Sequence, residues 1–419
     1  MRRRSAIVAA LAGAVVLAAA RPAARPVSRT APPAPQARAP ITLVVGLDAF
    51  RWDYVDRPQA RNIRALAERG VRVERLVPSF PSKTYPNFYT LVTGLYPDHH
   101  GIIANIVKDS ALGMFRTGSD PAVRDGRWFG GEPIWVTAER NHVPTAVYFW
   151  PGDEAAIRGV RPREFVGYDG RVSRADRVRW VLERLAQPAA SAPRLITLYL
   201  EDVDNASHDV GPNGARTDSA ITAADSVVGA LVAGIDRLGL RDVVNLVVTG
   251  DHGMAEVSRD RVIVLDDYVP LDSLTVVDWS PVAWIEPRRG ATDQVYARLK
   301  GAHPHLAVYR KGELPARLKA GSHPRVTSLV AIADEGWTIT SKAEMARPGS
   351  LRSRGAHGYD NALPSMGAIL LGAGPGLARG VRTPPMQNVH VYSLLAALLG
   401  VPPAATDGSP DSVRALLRR

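Results

Sequence analysis

The sequence predicts an α/β fold: a largely parallel central sheet covered by helices on both faces and interrupted once by a smaller inserted α+β cap. Three observations predict it. Short continuous apolar runs recur along the chain, amphipathic helical patterns separate them, and the polar residues able to do chemistry collect where those runs end.

Taken in order, Ile41 to Leu47 is unbroken and rich in β-branched residues, as a strand buried on both faces must be. Similar runs follow at Thr145 to Phe149, Leu195 to Leu200, Val243 to Val248 and Met366 to Leu371. Helical periodicity covers Asn62 to Arg69, Arg174 to Leu185 and Asp218 to Leu238. Asp48 stands just after the first strand, Asp204 and His208 after the strand at Leu195, and Asp251 with His252 after the strand at Val243. Ligand sites in open parallel sheets form at these carboxyl ends. Between about Ala255 and Ser350 the rhythm changes to shorter strands, at Val262 to Leu265, Val282 to Ile285 and Ala307 to Tyr309, with proline-rich turns. This defines a catalytic α/β domain over 41–254 and 351–410, an inserted cap over 255–350 and a C-terminal tail over 411–419.

Ahead of the first strand, Met1-Arg2-Arg3-Arg4-Ser5 and the apolar run Ala6 to Ala20 have the form of a secretory signal over 1–20. That run is shorter than the roughly 20 residues needed to span a bilayer, so no stable membrane span is expected after cleavage. An Ala/Pro/Arg-rich leader without periodicity occupies 21–40. The expected location is periplasmic or secreted. The formal net charge of +11 includes seven arginines and no acid within residues 1–40, which leaves +4 for the rest. A body so mildly basic gives no support for polymeric nucleic acid as the main ligand. The sequence has no cysteine, so a metal must be held by imidazole and carboxylate.

Asp48, Asp204, His208, Asp251, His252 and His357 are six such donors, and Thr84 adds a hydroxyl oxygen. Zinc takes these donors readily, and two zinc ions about 4 Å apart can flank one phosphoryl group. The inventory divides into two three-residue sites. Thr84 precedes Tyr85-Pro86 and the helical run Asn87 to Thr93, placing its hydroxyl at a helix N-terminus suited to a phosphoryl anion.

The chain resembles the nucleotide pyrophosphatase/phosphodiesterase (type I phosphodiesterase) family of the alkaline phosphatase superfamily. The resemblance runs through Val44-Val45-Gly46-Leu47-Asp48, Phe80-Pro81-Ser82-Lys83-Thr84-Tyr85-Pro86-Asn87, Thr93-Gly94-Leu95-Tyr96-Pro97 and His100-Gly101-Ile102-Ile103-Ala104-Asn105. It continues through Gly131-Glu132-Pro133-Ile134-Trp135, Phe149-Trp150-Pro151-Gly152, Tyr199 to Asp204 with His208, Asp251-His252-Gly253-Met254 and His357-Gly358-Tyr359-Asp360-Asn361. It implies an alkaline phosphatase-like three-layer α/β/α sandwich holding two Zn2+. Asp48, Thr84, Asp251 and His252 would hold the ion that activates the nucleophile; Asp204, His208 and His357 would hold the ion facing the leaving group. Thr84 would attack phosphorus and form a phosphothreonine intermediate, Asn105 would donate to a non-bridging phosphoryl oxygen, and Tyr85 and Tyr168 would wall a nucleobase. The implied substrates are nucleotide phosphodiesters or phosphoanhydrides.

Three other functions stay open on the residues alone: a phosphomonoesterase of the same superfamily, a head-group phosphodiesterase, and a non-catalytic exported binding protein. Monoester preference needs extra positive charge, for which Lys108 and Arg116 are the candidates. Lys83 is expected to be a solvated lysine, His100 a structural histidine, and Trp128 and Trp150 packing residues.

Overall fold

The computed structural model describes residues 38–118 and 121–418. The expected signal over 1–20 lies outside the described residues, as does the leader except for residues 38–40, where Arg38 Nη2 donates to the carbonyls of Leu185 and Gln187 at 2.8 and 3.0 Å.

Among the described residues the central sheet is nine-stranded. Its main strands are β1 (Ile41–Leu47), β2 (Val71–Val77), β3 (Thr145–Tyr148), β4 (Glu164–Val166), β5 (Leu195–Leu200), β6 (Val244–Thr249), β7 (Ala368–Ala373) and β8 (Val381–Thr383). They lie in the order β8-β2-β7-β6-β1-β5-β3-β4, and Met386–Gln387 also pairs with β2. β1 pairs in parallel with β5 on one side and β6 on the other, so its seven buried residues face protein everywhere. Only β7 runs against the rest, antiparallel to both β2 and β6. β1 can take this central place because Gly46 lacks a side chain: a Cβ there would lie 2.7 Å from the Phe88 ring and 2.9 Å from Trp150.

Helices α1 (Arg61–Arg69), α2 (Thr84–Thr93), α3 (Arg174–Leu185), α4 (Asp202–Val210) and α5 (Ala215–Arg237) include those that position the site. α5 is long and apolar enough to cross a membrane by length and composition. In the fold it packs Ile221, Val228 and Leu231 into the core, and its buried Asp225 accepts hydrogen bonds from Asn62 Nδ2 and Ile63 N on α1.

Within 255–350 the chain builds a four-stranded antiparallel sheet in the order Leu274–Asp278, Val282–Pro287, Leu329–Ala333, Leu306–Arg310. It has its own apolar cluster around Ile285, Leu299 and Leu329. Several polar contacts tie this segment to the rest, and three of them lie near the chain that carries Thr84 or the loops after it. Asp98 accepts from the backbone of Gly321 and Ser322, Arg325 reaches Asp109 and the carbonyls of Gly101 and Trp128, and Lys83 meets Asp278. The C-terminal residues are packed rather than free, with Val413 and Leu416 buried and Leu417 bridging to Leu377.

Candidate active site

The predicted donors come together at the carboxyl ends of β1, β5 and β6. Asp48 leaves β1 and is buried; Asp251 and His252 follow β6 and are fully buried. Asp204 and His208 sit four residues apart on α4, one turn along the same face. His357 arrives from the glycine-flanked segment that returns from the four-stranded sheet. Thr84 is the first residue of α2, whose preceding residue Lys83 is extended and whose far end closes on Gly94 at φ 66°.

The distances make one continuous cluster. His252 Nε2 lies 3.2 Å from Thr84 Oγ1, 2.9 Å from Asp251 Oδ2 and 3.4 Å from Asp48 Oδ1. On the other side Asp204 Oδ1 lies 3.4 Å from His208 Nε2 and 3.7 Å from His357 Nε2. Asp204 groups within 4.8 Å with His208 and His357 and also with Asp48 and His252, so the two expected sets of donors adjoin at this residue. The His252 and His357 rings stack at 3.7 Å.

Two features show that these residues fit a bound cation. First, each histidine spends Nδ1 on a backbone carbonyl: His208 on Gly355 at 2.8 Å, His252 on Gly253 at 2.9 Å, and His357 on Ser82 at 2.9 Å. A carbonyl can only accept, so Nδ1 carries a proton, and with a cation bound each ring would be neutral and present its Nε2 lone pair to the cluster, as metal-ligating histidines do. Second, Asp48 Oδ1, Asp204 Oδ1 and Asp251 Oδ2 are buried without a hydrogen-bond partner, whereas their carboxylate mates are held by Tyr199 Oη at 2.6 Å for Asp48 and by the Ala49 backbone at 3.2 Å for Asp251. Buried unpaired carboxylate oxygens are costly. Burial, followed by the charges of Asp251 and Asp204, pushes the Asp48 carboxyl well above its usual range, and burial raises Asp204 as well. Burial alone would lower His252, but the neighbouring Asp251 and Asp204 leave it raised; burial and the two other histidines hold His357 well below the usual imidazole value. Divalent charge placed among them would cancel this excess of negative charge.

The cluster opens into a cavity of about 290 Å³ that Thr84, Tyr85, Asn105, Phe149 and Tyr168 also line. Asn105 Oδ1 accepts from the Tyr85 backbone at 3.0 Å, which leaves the Asn105 amide hydrogens free to donate. Tyr85 packs edge-on against Phe115, and Tyr168, 45% exposed, packs edge-on against Phe149 and Tyr199. Burial, with the charge of Glu201, pushes the Tyr168 phenol up to about 12.

Lys83 is not solvated. It is buried and its Nζ lies 2.7 Å from Asp278 Oδ2, because the insertion folds back over the segment carrying Thr84. Lys108 and Arg116 are exposed on the hairpin formed by Ile106–Asp109 and Gly113–Arg116, and neither lines the cavity. His100 is buried against Thr90, its imidazole lowered to about 3 by burial, and Trp128 and Trp150 are core residues. Two supporting groups escaped the sequence reading. Tyr199 fixes Asp48, and Arg177 forms a buried bidentate pair with the cavity-lining Glu201 at 2.6 and 2.7 Å while its guanidinium lies 4.9 Å from the Phe149 ring centre. A tyrosine in an aliphatic strand and an arginine in step with Val181 and Leu185 on a buried helical face were the available signals.

The family model for type I phosphodiesterase/nucleotide pyrophosphatase matches residues 42–360. Human ectonucleotide pyrophosphatase/phosphodiesterase family member 5 is 35% identical over 377 residues, covering 90% of this chain and 77% of the relative. Human bis(5′-adenosyl)-triphosphatase ENPP4 is 34% identical over 384 residues, covering 90% and 82%. The structure of mouse ectonucleotide pyrophosphatase/phosphodiesterase 5, an inactive threonine-to-alanine variant in complex with AMP, superimposes with a TM-score of 0.85 at 38% identity, covering 91% of this chain and all of that one. The alkaline phosphatase-like fold expected from the sequence is therefore the observed one. Since the family match spans the strand ends that carry the cluster, the chain is a hydrolase belonging to the type I phosphodiesterase/nucleotide pyrophosphatase family.

Proposed function

We propose that this protein is an exported two-zinc phosphodiesterase and nucleotide pyrophosphatase in which Thr84 is the covalent nucleophile. The observation that carries the reading is the position of Thr84 Oγ1, 3.2 Å from His252 Nε2 at the start of α2 and beside the unpartnered carboxylate oxygens of Asp48, Asp204 and Asp251. Asp48, Asp251, His252 and Thr84 would hold one zinc, and Asp204, His208 and His357 the other. Bound there, two zinc ions supply Lewis-acid charge that favours the Thr84 alkoxide and offsets charge developing on the leaving oxygen.

Thr84 Oγ1 bonds to phosphorus as the bond to the leaving oxygen breaks, and that oxygen departs with the electron pair. Thr84 attacks with its hydroxyl proton released to solvent. Water then attacks the phosphothreonine and loses a proton as it bonds to phosphorus, and Thr84 Oγ1 leaves with the electron pair and regains a proton, so configuration at phosphorus is retained overall. The N-terminal end of α2 favours the phosphoryl anion. Asn105, held through its carbonyl oxygen by Tyr85, donates its amide to a non-bridging oxygen. Tyr85 and Tyr168 wall a nucleobase in the cavity they share. Among the described residues no lysine or arginine lines that cavity, which favours a singly charged diester over a monoester.

The test is Thr84→Ala, with turnover of bis-p-nitrophenyl phosphate and zinc content measured together. Turnover is lost while zinc content persists, because the other donors remain. Retention of a tenth of wild-type kcat, only about 1.4 kcal/mol of barrier, contradicts the reading.

A further inference from the structure

A second cavity, of about 750 Å³, lies against the reaction cluster and has no part in the chemistry described above. It shares His208 with the catalytic cavity, and the short run Gly355-Ala356-His357 separates the two: Gly355 and Ala356 line the outer cavity, His357 the inner one. Arg259 and Arg352 stand on its wall, both exposed and neither ion-paired among the described residues, with Trp279 half-buried beside them. Arg259 is held in place by its Nε–H donated to the Leu351 carbonyl at 3.1 Å, which leaves the outer guanidinium nitrogens free. A third arginine on the wall, Arg347, is occupied by Glu344 at 2.8 Å.

In-line attack by Thr84 directs the leaving oxygen away from Thr84, toward the half of the cluster built from Asp204, His208 and His357. The outer cavity lies on that side, across His208. Two unpaired guanidinium groups suit phosphate oxygens, which they can grip through paired N–H bonds.

We propose that this outer cavity is a subsite for the leaving group, in which Arg259 and Arg352 bind the phosphate chain released when a phosphoanhydride is cleaved. The inference rests on the reading that Thr84 attacks a nucleotide phosphoryl group. It assigns the two arginines to selection between leaving groups: a phosphate-bearing one gains contacts that a neutral aryl one cannot make.

The test compares two substrates with the same transferred adenosine 5′-phosphoryl group, its p-nitrophenyl ester and ATP, in wild type and in the Arg259→Ala/Arg352→Ala double variant. The ratio of kcat/KM for ATP to that for the ester falls at least tenfold in the double variant, and Arg259→Lys/Arg352→Lys recovers part of the loss. Tripolyphosphate binding, followed by calorimetry on Thr84→Ala protein with and without the two arginine changes, weakens at least tenfold when they are lost. That arm needs no turnover, so it judges the subsite even if the nucleophile assignment fails. An unchanged substrate ratio, or unchanged tripolyphosphate affinity, overturns the proposal.

Discussion

Asp48 has one carboxylate oxygen committed to Tyr199 and the other unpartnered, and Asp204 and Asp251 each repeat the unpartnered oxygen. In the metal-free chain the raised values of Asp48, Asp204 and His252 keep protons at pH values where an ordinary carboxyl or imidazole has lost them. A bound cation must displace those protons, so zinc affinity rises with pH and binding releases protons. Calorimetric titration in two buffers of different ionisation heat reads this directly; proton uptake on binding contradicts it. Asp204→Asn and His357→Ala each lower the metal count from about two zinc per chain toward one, and an unchanged count removes that residue from the ligand set. Tyr85→Ala or Tyr168→Ala removes stacking of about 1 to 3 kcal/mol, so kcat/KM for ATP drops by about five- to a hundredfold while methyl p-nitrophenyl phosphate changes little. Equal losses on both substrates mean that the tyrosines only pack.

At the level of elements, the strongest sequence signals were the uninterrupted apolar strands. Ile41–Leu47 and Leu195–Leu200 stand where the sequence puts them, and the others shift by one or two residues at their ends. β2 was missed although Val71 and Val73 alternate inward with Arg72 and Glu74, because a half-buried strand lacks the continuous apolar run that marks its neighbours. The reversed direction of β7 was not legible, since burial on both faces looks the same for either strand sense. Donors in a strand-end or glycine-flanked position could be found from sequence; Lys83 could not, because its partner Asp278 lies 195 residues away. The Lys83–Asp278 pair also couples the inserted sheet to the segment that holds Thr84. Asp278→Ala leaves a buried ammonium unpaired and destabilises the protein by about 3 to 5 kcal/mol in urea unfolding, whereas Lys83→Met/Asp278→Leu costs much less. A double variant as unstable as the single one contradicts this account.

For the whole molecule, sheet order, strand-end chemistry and the inserted segment act together: the parallel strands deliver five of the donors, the returning chain delivers His357, and the insertion supplies the outer wall on the His208 side. Export belongs to the same reading, and the full chain produced in a bacterial host is expected to be recovered from the periplasm with its first twenty or so residues removed. N-terminal sequencing of the recovered protein checks this; an intact Met1 on cytoplasmic protein contradicts it. The covalent role of Thr84 is tested most directly by mixing the enzyme with a p-nitrophenyl ester of a nucleoside 5′-phosphate, quenching in acid during the first turnover and mapping the peptides by mass. The account predicts one nucleotidyl-phosphoryl group on the peptide containing Thr84, absent from Thr84→Ala. Rapid turnover with no adduct, or an adduct on any other residue, contradicts it.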